Sequence, residues 1–301
     1  MITTTGSRTD VYTRVTNRIV EELERGVRPW MKPWNAEHAA GRITRPLRHN
    51  GEAYKGINIL MLWAEAETRG YACPIWITFQ QAREMGGHVR KGEHGAPVVY
   101  ASRFSKTETT DAGEEVEREI PFLKEYTVFN VEQIDELPAK FCELKEWPKE
   151  QMQRVEQADR FFANTKAEVR HGGNQAYYSI SHDYVQMPRF ECFRDTGSYC
   201  ATLAHELTHW TRHETRLNRE FGRNRFGDEG YAMEELVAEL GSAFLAADLR
   251  ITPEVREDHA SYVEHWLKVL KNDKKAIFSA ASHASRAVDF LHGLQPAEPT
   301  A

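Results

Sequence analysis

The chain of 301 residues is long enough for two domains, and its 41% hydrophobic content is sufficient for packed cores. No apolar run approaches the length of about 18 residues that a membrane helix needs, and the first ten residues lack the hydrophobic stretch of a signal peptide. We therefore expect a cytoplasmic protein with no membrane partner. The four cysteines show no C-x-x-C spacing, which argues against a cysteine-based zinc site.

Charge is distributed unevenly along the chain. The formal net charge is −6, yet residues 1–105 carry 15 Lys and Arg against 10 Asp and Glu. An overall negative charge argues against nucleic-acid binding, whereas a basic half in an acidic chain is typical of a nucleic-acid or membrane surface on that half.

The first half alternates between helical and strand patterns. Residues 9–25 are predicted to form an amphipathic helix that Gly26 closes, because apolar residues recur at helical spacing. The following stretch, up to Lys55, contains too much Pro and Gly for regular structure. Residues 54–71 are predicted to form a second helix, and residues 73–102 a strand, a short helix, a glycine-rich turn and another strand.

A domain boundary is predicted near the middle of the chain. Residues 105–119 are polar and acidic without periodicity, which favours a mobile hairpin tip, and residues 120–134 return as a strand. Residues 137–150 contain two prolines and are predicted to be a linker. The predicted domains are therefore residues 1–136 and 151–301.

The second half reads as mainly helical. Helices are predicted at 151–170, 199–214 and 231–244, two more lie between 258 and 294, and residues 176–188 favour a β-hairpin. The predicted fold class is α+β with two domains. A small α+β domain precedes a mainly helical domain that carries a small antiparallel sheet.

The segment YCATLAHELTHWTRHE, residues 199–214, suggests a metal site. His205 and His209 are four residues apart, so on a helix both imidazoles point in one direction. Glu206 lies about 100° around the helix axis, where a carboxylate can act as general base on a metal-coordinated water. An H-E-x-x-H string also arises by chance, so the site needs a third ligand to be convincing.

The segment YAMEELVAELGSAF supplies that ligand. Glu235 and Glu239 are again four residues apart beside an apolar helix stripe. Glu235 is predicted to bind the metal, and Glu239 to accept the free N–H of His205. The alternative is that both carboxylates are solvated helix surface. Two histidines and one glutamate predict Zn²⁺, with Mn²⁺ or another divalent ion as an alternative.

Other third ligands rank lower. A metzincin site needs Gly and His where this chain has Arg212 and Thr215. Asp228 and Glu229 are alternatives if their loop folds over the site. His213 lies too far along the same helix to join the metal and is expected at the surface.

The basic half has a composition suited to single-stranded nucleic acid. Between Arg25 and Lys55, seven basic and two acidic residues are interleaved with tryptophan and tyrosine. Cations follow phosphates and aromatic rings stack on bases. The alternative, given equal weight, is a solvated loop anchored by core tryptophans. The candidate contact residues are Arg28, Trp30, Lys32, Trp34, Arg42, Arg45, Arg48, Tyr54, Lys55, Arg90 and Lys91.

Five collinear motifs carry a family resemblance: YKGINILMLW, WITFQQA, GGHVRKGEHGAPVVY, HELTHWT and EELVAELGSAF. In this order they resemble the ArdC-type antirestriction proteins of conjugative plasmids, over nearly the whole chain. The resemblance implies an N-terminal domain that binds single-stranded DNA and a C-terminal zincin-like metallopeptidase domain. It further implies protection of incoming plasmid DNA from host restriction. His205, His209 and Glu235 match the family's metal ligands, and Glu206 matches its catalytic base.

Peptide hydrolysis is the expected chemistry of such a site. Tyr231 or Tyr184 is predicted to donate to the oxyanion, and an edge strand beside the metal helix could pair with a peptide substrate. The substrate is an unknown protein or peptide, with a restriction component as one candidate. The alternative function is a DNA-coating protein whose metal site is structural or only self-cleaving. A nuclease fits poorly, because two-metal nuclease sites prefer clustered carboxylates.

Overall fold

The computed structural model describes residues 10–31, 44–109, 115–141, 151–222, 228–251 and 260–296. Within these residues, eight α-helices are α1 Val11–Glu24, α2 Ile57–Arg69, α3 Phe79–Glu84, α4 Gln151–Asn164, α5 Thr196–Trp210, α6 Glu229–Leu249, α7 Ala260–Asn272 and α8 Ala276–Gly293. None of the helices in the described ranges has an apolar stretch long enough to cross a membrane.

Eight strands form three small sheets in the described part of the chain. They are β1 Trp76–Thr78, β2 His88–Val89, β3 Ala96–Thr109, β4 Glu115–Asn130, β5 Ile134–Asp135, β6 Glu168–His171, β7 Tyr177–Ser179 and β8 Tyr184–Met187. The first sheet has the antiparallel order β1-β4-β3, and β2 pairs antiparallel with β5. In the third sheet, β8 is central, β7 pairs with it antiparallel and β6 pairs with it parallel.

Side-chain caps determine where several helices begin. The Asp10 carboxylate accepts hydrogen bonds from two backbone N–H groups in the first turn of α1. At the start of α5, Asp195 and Ser198 form a reciprocal capping box. Such caps satisfy N–H groups that have no partner inside the helix. The helix that carries both predicted metal-binding histidines therefore has a well-defined start.

The two-domain α+β prediction is confirmed, with two local corrections. The helix predicted at 151–170 ends at Asn164, because Lys166 adopts a left-handed conformation with φ of 56°, and the chain continues as β6. The polar segment 105–119 was predicted to be a mobile hairpin tip. The hairpin is present, but its strands extend into this segment: Ser105 to Thr109 pair with Glu119 to Glu115, and this pairing satisfies the backbone polar groups despite the polar composition.

The largest hydrophobic core combines both halves of the sequence. Buried side chains of α1 and α2 pack in one cluster with those of α5, α6, α7 and α8. For example, the rings of Trp63 and Phe244 lie 5.8 Å apart in an edge-on arrangement. Buried ion pairs reinforce the contact, among them Arg45 with Asp248 at 2.6 Å. The predicted boundary at 137–150 stays a prediction, and residues 142–150 lie outside the described part of the chain.

Helices α5 and α6 approach each other closely at Gly241. A Cβ atom at this position would lie 2.5 Å from Cγ2 and 2.8 Å from Oγ1 of Thr208. The Ser242 hydroxyl also donates a hydrogen bond to the Ala201 carbonyl across the same interface. The absence of a side chain at Gly241 thus allows the contact that brings the two functional helices together.

We predict that Gly241→Ala destabilises the protein by about 1–3 kcal/mol, because the added methyl group overpacks the interface with Thr208. Urea unfolding of the metal-free protein measures the change. Gly293→Ala is the matched control: its Cβ would meet nothing within 4 Å, so it should cause no loss. Equal stability of Gly241→Ala and the wild type would contradict the prediction.

Candidate metal centre

Three side chains from two helices converge on one point. His205 and His209 come from α5, and Glu235 comes from α6. The two Nε2 atoms lie 3.2 Å apart, and each is 3.5 Å from an oxygen of Glu235. One ligand atom from each of the three residues lies within 4.8 Å of the others. The donor set expected from the i, i+4 spacing is therefore assembled in space.

The cluster opens into a cavity of about 290 Å³. Glu206, which is 3% exposed, lines this cavity beside the two histidines. The edge strand β7 contributes Tyr177 to the cavity wall. Ile180, the first residue after this strand, also lines the cavity and is half exposed. The cavity is thus lined by the Glu206 carboxylate, by the three metal-donor side chains and by an accessible apolar surface.

A buried ion pair orients His209. Its Nδ1 lies 3.1 Å from Oε1 of Glu234, and Glu234 receives two hydrogen bonds from Arg219 at 2.7 and 2.8 Å. Burial would raise the pKa of Glu234, but the hydrogen bonds from Arg219 and His209 outweigh burial and lower the pKa to about 2. An ionised Glu234 favours a proton on Nδ1 of His209, which leaves Nε2 free to bind a metal.

Glu239 lies next to His205 and is not among the described residues that line the cavity. Its Oε2 is 3.8 Å from Nδ1 of His205. Its Oε1 accepts hydrogen bonds from Nη1 of Arg28 at 2.9 Å and from Nε1 of Trp30 at 3.3 Å. The arrangement is compatible with the predicted role of Glu239 in orienting His205, and that role stays a prediction.

Charges within the cluster depend on one another. Burial opposes ionisation of Glu235, but the neighbouring imidazoles His209 and His205 lower the pKa of its carboxyl far below the usual range. Burial lowers the pKa of His209, yet the carboxylates of Glu235 and Glu234 raise it well above its usual value. The pocket therefore favours positive charge between Glu235 and the two rings.

The donor set fits a divalent cation. Two imidazole nitrogens and one carboxylate supply three protein ligands and leave a coordination position open toward the cavity. Among the described residues, no other set of three His, Cys, Asp or Glu side chains is close enough to hold a metal. Asp228 and Glu229 stand at the start of α6 and are not part of the cluster. His213 lies beyond the end of α5 and contacts Thr215.

The two tyrosines predicted as oxyanion donors have different surroundings. Tyr231 lines the cavity, and its hydroxyl is 3.2 Å from that of Tyr262 on α7. Tyr184 is not among the described residues that line the cavity; its hydroxyl faces Tyr177, and the Arg170 guanidinium covers its ring at 3.8 Å. Tyr231 is therefore the better placed of the two, because Tyr184 reaches the cavity only through Tyr177; both oxyanion roles stay predictions.

Several predicted DNA-contacting residues belong to the interior. Trp30 is 0% exposed and Tyr54 is 3% exposed, so neither ring offers a face to a base, and the structure contradicts their stacking role. Arg28 and Arg45 are buried in ion pairs with Glu239 and Asp248 of α6. The alternative of a loop anchored by a core tryptophan is therefore correct for Trp30.

The remaining predicted contacts are divided between the surface and the undescribed segment. Arg48, Lys55 and Arg90 are exposed but lie next to carboxylates. Lys91 is exposed in the turn before β3. The predicted contacts Lys32, Trp34 and Arg42 lie outside the described residues.

A histidine pair with an adjacent glutamate on one helix, in the pattern H-E-x-x-H, is the signature of the zincin class of metallopeptidase folds, and here a glutamate from the next helix completes the donor set. A family model of zincin-like metallopeptidases matches residues 156–283. A second model, the N-terminal domain of the anti-restriction factor ArdC, matches residues 9–129. The chain belongs to the ArdC family of antirestriction proteins.

Relatives and solved structures agree with this assignment. An uncharacterized protein, y4eC of Sinorhizobium fredii, is 43% identical over 95% of this chain and 93% of its own length. The metal-free crystal structure of antirestriction protein ArdC from plasmid R388 is 42% identical, covers 95% of this chain and 97% of that one, and has a TM-score of 0.79. Its Mn(II)-bound structure has a TM-score of 0.76 at the same identity, with 95% and 98% covered.

A more distant relation covers only part of a longer protein. The DNA primase TraC of Escherichia coli is 38% identical over 93% of this chain, but the match covers 27% of the primase. The similarity therefore concerns one region of TraC.

Four residues of the site were not recognised as functional from the sequence. Glu234 and Arg219 form the buried pair behind His209, and Tyr262 and Arg212 line the cavity. Within the described structure, Nε of Arg212 is buried and has no hydrogen-bond partner. Only Glu234 had a local signal, since it directly precedes Glu235; the other three depend on long-range packing.

We predict that Glu234→Ala destabilises the metal-free protein by about 3–5 kcal/mol, because it leaves the Arg219 guanidinium, which is 1% exposed, without its acidic partner. Chemical unfolding in the presence of a chelator measures the loss. The control is Glu52→Ala, which breaks the exposed pair with Arg48 and should cost less than about 1 kcal/mol. Similar losses in both variants would show that the buried pair has no special role.

Proposed function

We propose that this protein is an antirestriction factor that protects incoming conjugative plasmid DNA, binds single-stranded DNA and hydrolyses peptide bonds at a divalent-metal centre. We place its action in the cytoplasm. The observation that carries the enzymatic part is the convergence of His205, His209 and Glu235 beside the buried Glu206. Family membership supports the antirestriction role.

Zn²⁺ is the proposed metal, because two imidazoles and one carboxylate form a common catalytic zinc site. Mn²⁺ is the alternative, supported by the Mn(II)-bound structure of the R388 relative. When bound, such a cation lowers the pKa of a coordinated water to about 7 and polarises a carbonyl oxygen.

The chain's own residues complete the proposed reaction. Glu206 accepts the proton of the attacking water and returns it to the leaving amine. The Tyr231 hydroxyl, on the cavity wall, donates a hydrogen bond to the developing oxyanion. The open edge of β7 pairs with an extended peptide, and Arg212 offers a positive charge to the peptide's carbonyl or carboxylate groups. The substrate is a protein or peptide, with a restriction component as one candidate.

We predict that Glu206→Gln keeps one equivalent of metal per chain but lowers peptide hydrolysis by about 10²–10⁴-fold, since the amide cannot accept the proton. Metal content is measured by mass spectrometry, and cleavage with a quenched peptide library. Glu214→Gln is the control, because Glu214 is exposed beyond the end of α5.

The same variant separates the two candidate functions when transferred plasmid DNA is challenged by a restriction host. Loss of protection by Glu206→Gln supports hydrolysis as the means of antirestriction. Full protection without hydrolysis contradicts it and supports a DNA-coating protein with a structural or self-cleaving metal site.

We call residues 9–129, which match the ArdC N-terminal model, the N-terminal unit, and residues 156–283, which match the zincin-like model, the C-terminal unit. The proposed DNA surface lies on the N-terminal unit. Phe79 and Tyr100 are large aromatic side chains there that are 50% and 52% exposed. Lys91 is exposed in the loop between β2 and β3. These residues offer the stacking faces and the cation that the buried Trp30 and Tyr54 do not, and Trp34 remains a candidate from composition. The relatives named as DNA primases support an association with DNA.

We predict that Phe79→Ala weakens binding to a fluorescent single-stranded oligonucleotide by about 1–3 kcal/mol, the contribution of one base stack. Phe190→Ala is the matched control, since Phe190 is 48% exposed but lies in the C-terminal unit. The affinity of the wild-type protein for DNA should also fall steeply between about 50 and 200 mM salt, because the release of counterions from DNA becomes less favourable as the salt concentration rises. Binding that is insensitive to salt would contradict an interface with the phosphate backbone.

A further inference from the structure

The carboxylate of Glu239 links the N-terminal segment to the metal-binding helices. Arg28 and Trp30 follow α1, and both donate to Oε1 of Glu239, at 2.9 and 3.3 Å. Glu239 lies one turn beyond Glu235 on α6, and its Oε2 faces Nδ1 of His205 at 3.8 Å. A chain of contacts therefore runs from residues 28–30 to a candidate metal ligand.

The residues of this contact series are buried and closely packed. The side chains of Arg28 and Glu239 are 10% and 6% exposed, and Trp30 is completely buried. The indole of Trp30 also packs edge-on against Trp266 of α7, with ring centroids 5.7 Å apart. A carboxylate in such surroundings is stable as an ion only when cations and N–H donors surround it. Arg28 supplies a charge, and Trp30 supplies a donor whose direction is fixed by packing.

We propose that Arg28 and Trp30 are positioning residues of the metal centre. They hold the Glu239 carboxylate in one orientation, with its Oε2 3.8 Å from Nδ1 of His205, and this contact positions the imidazole so that its Nε2 faces the metal. Outer carboxylates of this kind commonly tune metal affinity. The inference rests on the metal binding proposed above, and it means that the N-terminal unit completes a centre whose ligands all belong to the C-terminal unit.

A purely structural contact between the units is the competing explanation, and the chain contains a matched pair to test it. Arg45 of the N-terminal unit pairs with Asp248 of the same helix α6 at 2.6 Å, with side chains 10% and 12% exposed. Asp248 lies nine residues beyond Glu239, which corresponds to about 13 Å along the helix. Arg28 and Arg45 thus both join the N-terminal unit to α6 with similar burial, but Arg28 contacts the carboxylate that faces His205, whereas Arg45 contacts Asp248.

The experiment uses the full-length protein and four variants: Arg28→Met, Arg28→Lys, Trp30→Phe and the control Arg45→Met. Trp30→Phe keeps an aromatic ring in the core and removes the N–H donor together with part of the indole volume; as the milder change it remains informative if Arg28→Met does not fold. Affinity for Zn²⁺ and for Mn²⁺ is measured by competition with a chromophoric chelator. Unfolding of the metal-free proteins is measured in parallel.

Positioning predicts that Arg28→Met and Trp30→Phe weaken metal binding by about 10–100-fold, and that Arg28→Lys recovers part of the loss. Arg45→Met should lower stability while leaving metal affinity within about twofold of the wild type. The inference would be overturned if Arg28→Met and Arg45→Met changed metal affinity equally, or if neither Arg28→Met nor Trp30→Phe changed it. Either result would leave the proposed metal centre itself intact. A wild-type protein that binds neither metal would overturn the proposed metal centre, and this inference with it.

Discussion

The close contact between α5 and α6 is the constraint on which the site depends. Only a residue without a side chain fits at position 241, because a Cβ atom would be 2.5 Å from Thr208. On α5, His205 lies three residues before Thr208, and on α6, Glu235 and Glu239 lie six and two residues before Gly241. Because this contact sets the separation of the two helices, each imidazole Nε2 comes within 3.5 Å of an oxygen of Glu235.

Helix α6 buries three carboxylates in six residues, and this charge organises its surroundings. Glu234, Glu235 and Glu239 are 2%, 9% and 6% exposed. Buried carboxylates are costly unless each is paired. Arg219 forms an ion pair with Glu234, and Arg28 forms one with Glu239. The two imidazoles face Glu235, where a divalent cation would add further positive charge. These ion pairs join α6 to residues that are distant in sequence. The structure of the metal centre therefore depends on the turn after α5 and on the N-terminal segment.

The sequence predicted those features that depend on local spacing. Histidines at i and i+4, and glutamates at i and i+4, place side chains on one helix face whatever the tertiary fold, so the donor set was identifiable from residues alone. Exposure is different, because it depends on distant packing partners. Trp30 and Tyr54 were expected at a DNA surface and are buried, whereas the exposed Phe79 and Tyr100 had no distinguishing pattern. Arg219 and the parallel strand β6 were missed for the same reason: their partners lie far away in sequence.

The central claim is that one divalent ion is bound by ligands from α5 and α6 together. Anomalous diffraction from crystals of the full-length protein soaked in Zn²⁺ or Mn²⁺ tests it most directly. The account predicts a single strong peak within about 2.0–2.2 Å of Nε2 of His205, Nε2 of His209 and a carboxylate oxygen of Glu235. A peak that lies elsewhere, or one bound by the two histidines while the Glu235 oxygens remain beyond about 4 Å, would contradict it.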